Sequence, residues 1–113
     1  MERVFKGQIY LAHLKGIGSE QQGKRPVVIL QNNTGNKYSP TTIIAPLTTA
    51  DKRHMLPVHV PVRNNQLFQG SMVLLEQIQV MDKSRLGKHL CDLNETELAN
   101  VDKAIRISFA LAD

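Results

Sequence analysis

The chain of 113 residues has no tryptophan and few aromatic residues of any kind. Three phenylalanines and two tyrosines are its whole aromatic content, 4% of the sequence. RNA-binding domains that read bases mainly with exposed stacking rings depend on such residues, so this composition argues against that class. The single cysteine, Cys91, has no partner for an internal disulfide, and we expect it to be a small residue of the core.

Long hydrophobic runs are also missing. No apolar stretch approaches the roughly twenty residues that a helix needs to span a bilayer. No segment with the character of a secretion signal precedes the first strand-like residues. We therefore expect a cytoplasmic protein that makes no contact with a membrane.

Residues suited to metal or cofactor binding are scattered. Of His13, His54, His59 and His89, only His54 and His59 are close in sequence, and neither has a cysteine at a ligand spacing. The glycine-rich residues 16–24 lack the Gly-Lys-Ser/Thr signature of a phosphate-binding loop, and a strand follows them instead of a helix. We expect no metal and no cofactor.

Length and charge suit one small domain with a polyanionic partner. The 42% of hydrophobic and 21% of charged residues are typical of a globular chain, and we expect a single domain over residues 1–113. The net charge is +4; residues 1–40 hold six Lys or Arg against two Glu, whereas residues 76–113 hold five against seven acids. One surface facing a polyanion would explain this division, as would a solvated basic face without a partner.

Short segments rich in β-branched residues alternate with loop-forming residues over most of the chain. Residues 32–40, rich in Asn, Gly, Ser and Pro, are predicted to form a turn, and Pro46 is expected to mark a sheet edge or a bulge. The predicted strands cover residues 7–12, 25–31, 41–48, 57–62, 71–81 and 87–91. Residues 27–30 form a continuous apolar run, which indicates a strand covered on both faces.

The C-terminal part has a helical period. Asn94 is a suitable N-cap, acidic residues follow it in the first turn, and the helix is predicted to run from Glu95 to Leu111. Its apolar stripe ends at Phe109 and Ala112, whereas Ile107 and Leu111 lie off the stripe, which indicates a buried terminus or a subunit contact. The expected fold is mainly β: a small SH3-like barrel of five to seven strands with a C-terminal α-helix.

Two polar residues are placed by the predicted strands at one site. Arg25 begins the second strand directly after the glycine-rich loop, where a guanidinium suits bidentate phosphate binding. Thr48 ends the third strand. If these strands pair antiparallel, the start of one lies beside the end of the other, and both side chains can face one phosphate. Each also has an ordinary interpretation, as a surface arginine and a β-branched strand residue.

Glu76 is unusual because strict alternation along residues 71–81 groups it with the apolar Leu74, Ile78 and Val80. A carboxylate on a core-facing position is costly unless it is paired or a bulge turns it outward. We hypothesise that Glu76 orients Arg25 or another base of the loop.

Four segments of the chain form a recognisable set in their order and spacing: residues 18–29 (GSEQQGKRPVVI), 36–41 (NKYSPT), 75–78 (LEQI) and 82–83 (DK). In these segments the chain resembles the MazF/PemK toxins. The resemblance implies a homodimer of SH3-like barrels that cleaves single-stranded mRNA at a short sequence, using the 2′-hydroxyl of the substrate and leaving a cyclic phosphate and a 5′-hydroxyl. It also implies a cognate antitoxin whose acidic segment covers the RNA groove.

Position by position, Arg25 and Thr48 match the catalytic pair of the MazF branch. The PemK/Kid branch uses a loop histidine and a strand arginine and aspartate, and this chain has Ser19, Leu74 and Glu76 there, so that mechanism is not transferred. Neither Arg25 nor Thr48 is an obvious base for the 2′-hydroxyl, which leaves Glu20, a neighbour or solvent. The expected RNA-contacting residues are Ser19, Glu20, Gln21, Asn32, Lys52, Glu76 and Gln77, and residues 49–56 and 63–70 are expected to read flanking bases.

Two other functions remain compatible with the composition. A non-catalytic barrel that binds RNA would explain the charge division equally well but would give Arg25 and Thr48 no special role. A gyrase-poisoning toxin of the same architecture depends on an exposed aromatic residue at the chain end. This chain has no terminal Trp, and Phe109 is expected on the buried stripe of the helix.

Overall fold

A computed structural model describes residues 3–49 and 55–111. Within these ranges the chain forms seven strands, two α-helices and one 3-10 turn. In chain order they are β1 (Gln8–Lys15), β2 (Gln22–Ile29), α1 (Asn33–Tyr38), β3 (Thr41–Thr49), β4 (His59–Pro61), β5 (Ser71–Leu74), β6 (Gln79–Asp82), the 3-10 turn Lys83–Arg85, β7 (Leu86–Asp92) and α2 (Glu95–Ser108).

The strands form one antiparallel sheet in the order β4-β5-β3-β2-β1-β7, with β6 attached to β3. One edge of β3 pairs with β2. Its other edge pairs with β6 along Thr41–Ile44 and with β5 along Leu47–Thr49. The predicted mainly-β class with a C-terminal helix is confirmed, with a number of strands at the upper end of the predicted range.

Apolar side chains cover both faces of the sheet. Val27 and Ile29 belong to one hydrophobic cluster with residues of β1, β3 and β6, and Val28 belongs to a second cluster that includes Val101 and Ala104 of α2. Successive side chains of a strand point to opposite faces, so β2 is buried on both sides, as its continuous apolar run predicts.

The helix α2 begins as predicted and ends earlier. The Asn94 side chain accepts a hydrogen bond from the Glu97 amide at 2.7 Å, and the Glu97 carboxylate accepts one from the Asn94 amide at 3.0 Å, which completes a capping box. The second carboxylate oxygen of Glu97 accepts from the Arg63 amide at 2.9 Å and so ties the helix start to the chain after β4.

The expected burial of Phe109 is wrong. The helix stops at Ser108, Phe109 is its C-cap, and Ala110 follows with a φ of 54°. This turn takes the last residues away from the helical stripe, and Phe109 is 56% exposed. The off-stripe residues Ile107 and Leu111 are exposed as well, so the helix end is not a buried terminus.

Several other boundaries differ from the sequence prediction. The strand β2 begins at Gln22, so Arg25 lies inside this strand and not at its start. Residues 71–81 are two strands that both run antiparallel to β3, and between them the amide of Gln77 donates to the carbonyl of Leu74 in a turn that interrupts the pairing. Residues 32–40 contain the helix α1 instead of a turn, since the Asn32 side chain caps it by accepting from the Gly35 amide. The strand expected at residues 57–62 is limited to β4.

Pro46 lies at neither a sheet edge nor a bulge but in the middle of β3, opposite Val27. It follows the last residues of β3 that pair with β6 and precedes the first that pair with β5. A proline has no N–H for a ladder, and this position falls between two ladders, where none is needed.

None of the helices in the described ranges is long and apolar enough to cross a membrane.

The difference in burial between two isoleucines predicts that their truncation lowers the free energy of unfolding by unequal amounts. Ile29 is fully buried, whereas Ile17 in the loop after β1 is 80% exposed. We expect Ile29→Ala to lower the free energy of unfolding by about 2–5 kcal/mol, and Ile17→Ala to change it by less than about 0.5 kcal/mol. Urea unfolding followed by circular dichroism measures both. Equal losses in the two variants would contradict the assignment of the core.

Candidate functional site

The pairing of β2 with β3 brings Arg25 and Thr48 together. The paired residues run from Ile29–Ile44 to Val27–Pro46, and Arg25 and Thr48 each lie two positions beyond the last pair on their strands. Both residues border one cavity, so the two strands present them to the same space. The antiparallel arrangement expected from the sequence is present; the catalytic roles of the two residues remain a prediction.

The guanidinium of Arg25 is held from one side only. Its Nε donates a hydrogen bond of 2.7 Å to the carbonyl of Gln22, three residues earlier in the same strand. No carboxylate among residues 3–49 and 55–111 forms an ion pair with it. A half-buried guanidinium that forms no ion pair with a carboxylate in this part of the chain suits the binding of an external anion.

Arg25 and Thr48 border a cavity of about 540 Å³. Polar side chains and one aromatic ring stand around it, and its apolar wall comes from leucines and Pro26. The bordering residues also include Lys24, Thr49, Asn65, Gln66, Phe68 and Ser71. Phe68 is 84% exposed at this rim, so it is an aromatic ring available for stacking on a base. The sequence pointed to its loop, residues 63–70, but not to this residue.

A second cluster of polar residues joins the loop of residues 16–21 to the turn between β5 and β6. The Gln21 amide donates to Oε1 of Gln77 at 2.9 Å, and Nε2 of Gln77 donates to the Ser19 carbonyl at 3.4 Å. Glu20 accepts from the Ile17 amide at 2.7 Å inside the loop. Five of the expected RNA-contacting residues therefore lie together: Ser19, Glu20, Gln21, Glu76 and Gln77.

This second cluster surrounds its own small cavity of about 250 Å³, bordered by Glu20, Glu76 and Gln77 among others. Oε1 of Gln21 is buried without a hydrogen-bond partner in the described part of the structure. An unsatisfied buried acceptor is costly, and a donor supplied by a ligand would relieve that cost.

The base of the loop is narrow. A Cβ at Gly16 would overlap the carbonyl oxygen of Gln21, so the two ends of the loop approach too closely for any side chain there. Glycine at this position is therefore required by the close approach of two backbone segments.

Glu76 does not lie where the sequence placed it. It occupies the exposed turn between β5 and β6 instead of the core face of a strand, because the pairing with β3 is interrupted here: residues 74–78 stand opposite only residues 45–46. Its carboxylate is bound to Nε2 of His59 at 2.8 Å, and not to Arg25. The hypothesis that Glu76 orients Arg25 by direct contact is therefore wrong.

Two further expected residues lie elsewhere. Asn32 lies beyond the C-terminal end of β2, where its side chain caps α1. It borders neither of the two cavities as described. Lys52 lies outside the described residues. Within the described ranges, no group of three or more His, Cys, Asp or Glu side chains is arranged to hold a metal ion.

Two groups outside both cavities have displaced pKa values. Hydrogen bonds from the side chain and the amide of Ser84 lower the pKa of Asp82, which caps the 3-10 turn. Burial, followed by the charges of Asp92 and Glu97, raises the pKa of the Cys91 thiol. Cys91 is partly buried and packs against the cluster that includes α2, in agreement with a small residue of the core.

Comparison with known proteins decides the family. The family model for the PemK-like, MazF-like toxin of type II toxin–antitoxin systems matches residues 5–109. The chain belongs to this toxin family. It is 47% identical over 111 residues to the endoribonuclease MazF of Staphylococcus epidermidis, covering 96% of this chain and 92% of that protein.

Solved structures of this toxin family have the same fold. The Mycobacterium tuberculosis toxin MazF-mt6 is similar at 27% identity with a TM-score of 0.80, over 94% of this chain and 99% of that one. A mycobacterial endoribonuclease solved in complex with its cognate antitoxin is similar in fold, with a TM-score of 0.83 at 22% identity over 97% and 98% of the two chains. The expected burial of Phe109 was an argument against a gyrase-poisoning toxin, and the exposure of Phe109 removes that argument. The match to the PemK-like, MazF-like toxin family is now the evidence against this alternative.

The bonds made by Gln77 predict how the loop of residues 16–21 is held. We expect Gln77→Ala to speed hydrogen exchange of the Gln21 amide by roughly fivefold, since one hydrogen bond contributes about 1 kcal/mol. Gln79→Ala, at a residue that borders the same cavity, is the matched control and should leave that amide unchanged. Hydrogen–deuterium exchange followed by NMR gives both rates. An unchanged rate in Gln77→Ala would show that other contacts hold the loop.

Proposed function

We propose that this chain is the toxin of a type II toxin–antitoxin pair and a metal-independent endoribonuclease that cleaves single-stranded mRNA at a short sequence. The observation that carries this proposal is the placement of Arg25 beside Thr48 at the border of the 540 Å³ cavity, in a member of the PemK/MazF-like family. The 47% identity to an endoribonuclease over nearly the whole chain supports the same activity.

The reaction proposed is attack by the 2′-hydroxyl oxygen of the RNA on the adjacent phosphorus. The new O2′–P bond forms as the P–O5′ bond breaks, which leaves a 2′,3′-cyclic phosphate and a 5′-oxygen that takes up a proton. Arg25 stabilises the negative charge that builds on the phosphorus oxygens, and its charge persists at neutral pH. Thr48 donates a hydrogen bond to a non-bridging oxygen. The proton of the 2′-hydroxyl goes to solvent, because Glu20 accepts from the Ile17 amide and borders the smaller cavity instead of the one that Arg25 and Thr48 border.

Sequence selection is assigned to the groups around the two cavities. The exposed ring of Phe68 offers a stacking surface beside the catalytic pair. The polar side chains of Glu20, Glu76 and Gln77 border the smaller cavity and offer hydrogen-bonding groups to a base. Asn32 and Lys52 remain proposed RNA contacts without support from the described geometry.

The proposed partners follow from charge and exposed apolar surface. Lys24 and Arg25 at the larger cavity suit the acidic segment of a cognate antitoxin as well as RNA. The apolar residues Ile107, Phe109 and Leu111 are exposed at the end of α2. A second copy of the chain would remove them from water, so their exposure supports a homodimer. We propose that the chain acts as one domain over residues 1–113, in the cytoplasm, where mRNA is present.

Truncation of Arg25 tests the proposed catalytic role. We expect Arg25→Ala to lower kcat by at least about a hundredfold, the typical loss when one group that stabilises an oxyanion is removed. Arg106→Ala, at an exposed arginine in the last turn of α2, is the matched control. The measurement is cleavage of a labelled RNA in EDTA with mapping of the new 5′ ends. Binding of RNA by the wild-type chain without any cut would favour a non-catalytic barrel.

The nucleophile is tested on the substrate side. Replacing the single ribose at the mapped cleavage position by 2′-deoxyribose should abolish cutting there, because the attacking oxygen is gone. The same replacement one nucleotide downstream is the control and should leave cleavage within a few fold. Mass spectrometry of the products identifies the cyclic phosphate. Efficient cutting of the 2′-deoxy substrate would exclude the proposed chemistry.

A further inference from the structure

His59 is a nearly buried imidazole that the proposed chemistry does not use. Its side chain is 9% exposed at the start of β4. Nδ1 accepts a hydrogen bond of 3.0 Å from the Leu56 amide, and Nε2 lies 2.8 Å from Oε2 of Glu76. Both ring nitrogens are therefore bound to the protein.

These two partners determine the tautomer of His59. A backbone amide only donates, so Nδ1 must carry a lone pair, and the ring proton resides on Nε2, which donates to the carboxylate. With neither nitrogen available to a substrate, His59 is not a proton acceptor for the 2′-hydroxyl. Its geometry is that of a ring that joins two segments of backbone.

The first of these segments is the chain that enters β4. Leu56 and His59 are linked twice, by the side-chain bond and by the His59 amide donating to the Leu56 carbonyl at 2.9 Å. This short turn leads into β4, which pairs with β5 in the sheet.

The second segment is the turn between β5 and β6. The amide of Leu75 donates to the Val58 carbonyl at 3.1 Å, and Glu76 accepts the hydrogen bond from Nε2 of His59. The next residue, Gln77, holds the loop of residues 16–21 through its two hydrogen bonds. His59 thus stands between two surfaces, the turn before β4 and the cluster around Gln77, and the proposed function assigns the second of these to RNA.

We propose that His59 is a positioning residue for substrate recognition, which holds these two surfaces in a fixed mutual geometry through its two hydrogen bonds. The proposal rests on the proposed endoribonuclease function. Neither His59 nor Glu76 is among the described residues that border the 540 Å³ cavity. Arg25 and Thr48 therefore keep their environment when the joint, meaning the two hydrogen bonds of the His59 ring, is broken. Loss of His59 therefore weakens RNA binding and sequence selection and leaves the chemical step largely intact.

Three substitutions separate the two hydrogen bonds. In His59→Asn the amide oxygen replaces Nδ1 and keeps the bond to Leu56, whereas in His59→Gln the amide nitrogen replaces Nε2 and keeps the bond to Glu76. His59→Phe keeps the ring and loses both. His89→Gln is the matched control, since His89 also contacts a carboxylate through Nε2, that of Asp92 at 2.7 Å, but lies on β7 and is largely exposed.

The test measures KM and kcat on a labelled RNA and the distribution of cleavage sites on a long transcript. We expect His59→Phe to raise KM by at least about tenfold with kcat within about threefold, and to spread cutting to additional sequences. Asn and Gln variants should fall between it and the wild type, and His89→Gln should equal the wild type. A His59→Phe variant with wild-type KM and site preference would overturn the proposal, as would a loss confined to kcat.

Two controls distinguish failure of this proposal from misfolding of a variant and from failure of the proposed function. Thermal unfolding of each variant identifies a misfolded one; if His59→Phe does not fold, the Asn and Gln variants decide. Nitrogen-15 NMR of the imidazole must show the Nε2-protonated tautomer, and the opposite tautomer would refute the arrangement even if the wild type cuts no RNA. Absence of cleavage by the wild type together with the expected tautomer would reject the proposed function and leave the joint itself in place.

Discussion

The pairing of β3 with three other strands is the constraint on which the rest of this structure depends. One edge of the strand carries β2, and the other is divided between β6 and β5, with Pro46 near the division. A shift of this register by one residue would turn every side chain of β3 to the other face of the sheet. It would also separate Thr48 from Arg25, so the same hydrogen-bonded ladder stabilises the core and assembles the candidate site.

Features encoded by a few neighbouring residues were predictable from the sequence. The apolar run around Val28 gave a strand buried on both faces, and Asn94 gave the N-cap where expected. The turn after Leu74 was missed because polar and apolar residues keep alternating through it, and period alone does not distinguish one continuous strand from two strands separated by a turn. The helix α1 was missed because its residues have turn-forming character, and only the cap at Asn32 makes them helical.

The candidate site was predictable to the extent that strand pairing places it. Arg25 and Thr48 follow from two strands and their direction, and the resemblance to MazF toxins added their proposed roles. The partner of Glu76 did not follow, because His59 is seventeen residues away in the sequence and meets it only through a turn that was not foreseen. Exposure of Phe68 and Phe109 was equally hidden, since each depends on where the adjacent element ends.

The narrow neck at Gly16 has a consequence for how this protein can diversify. Because the backbone at Gly16 and Gln21 meets too closely for a side chain, the place from which the loop projects is set by the neck and not by the residues beyond it. Ile17, Ser19 and Glu20 are exposed beyond the neck, whereas Gly18 has a φ of 62° that favours glycine. Substitutions at the exposed side chains can therefore alter what the surface contacts at little cost to the barrel, and the proposed RNA contacts of this loop can change on an unchanged scaffold.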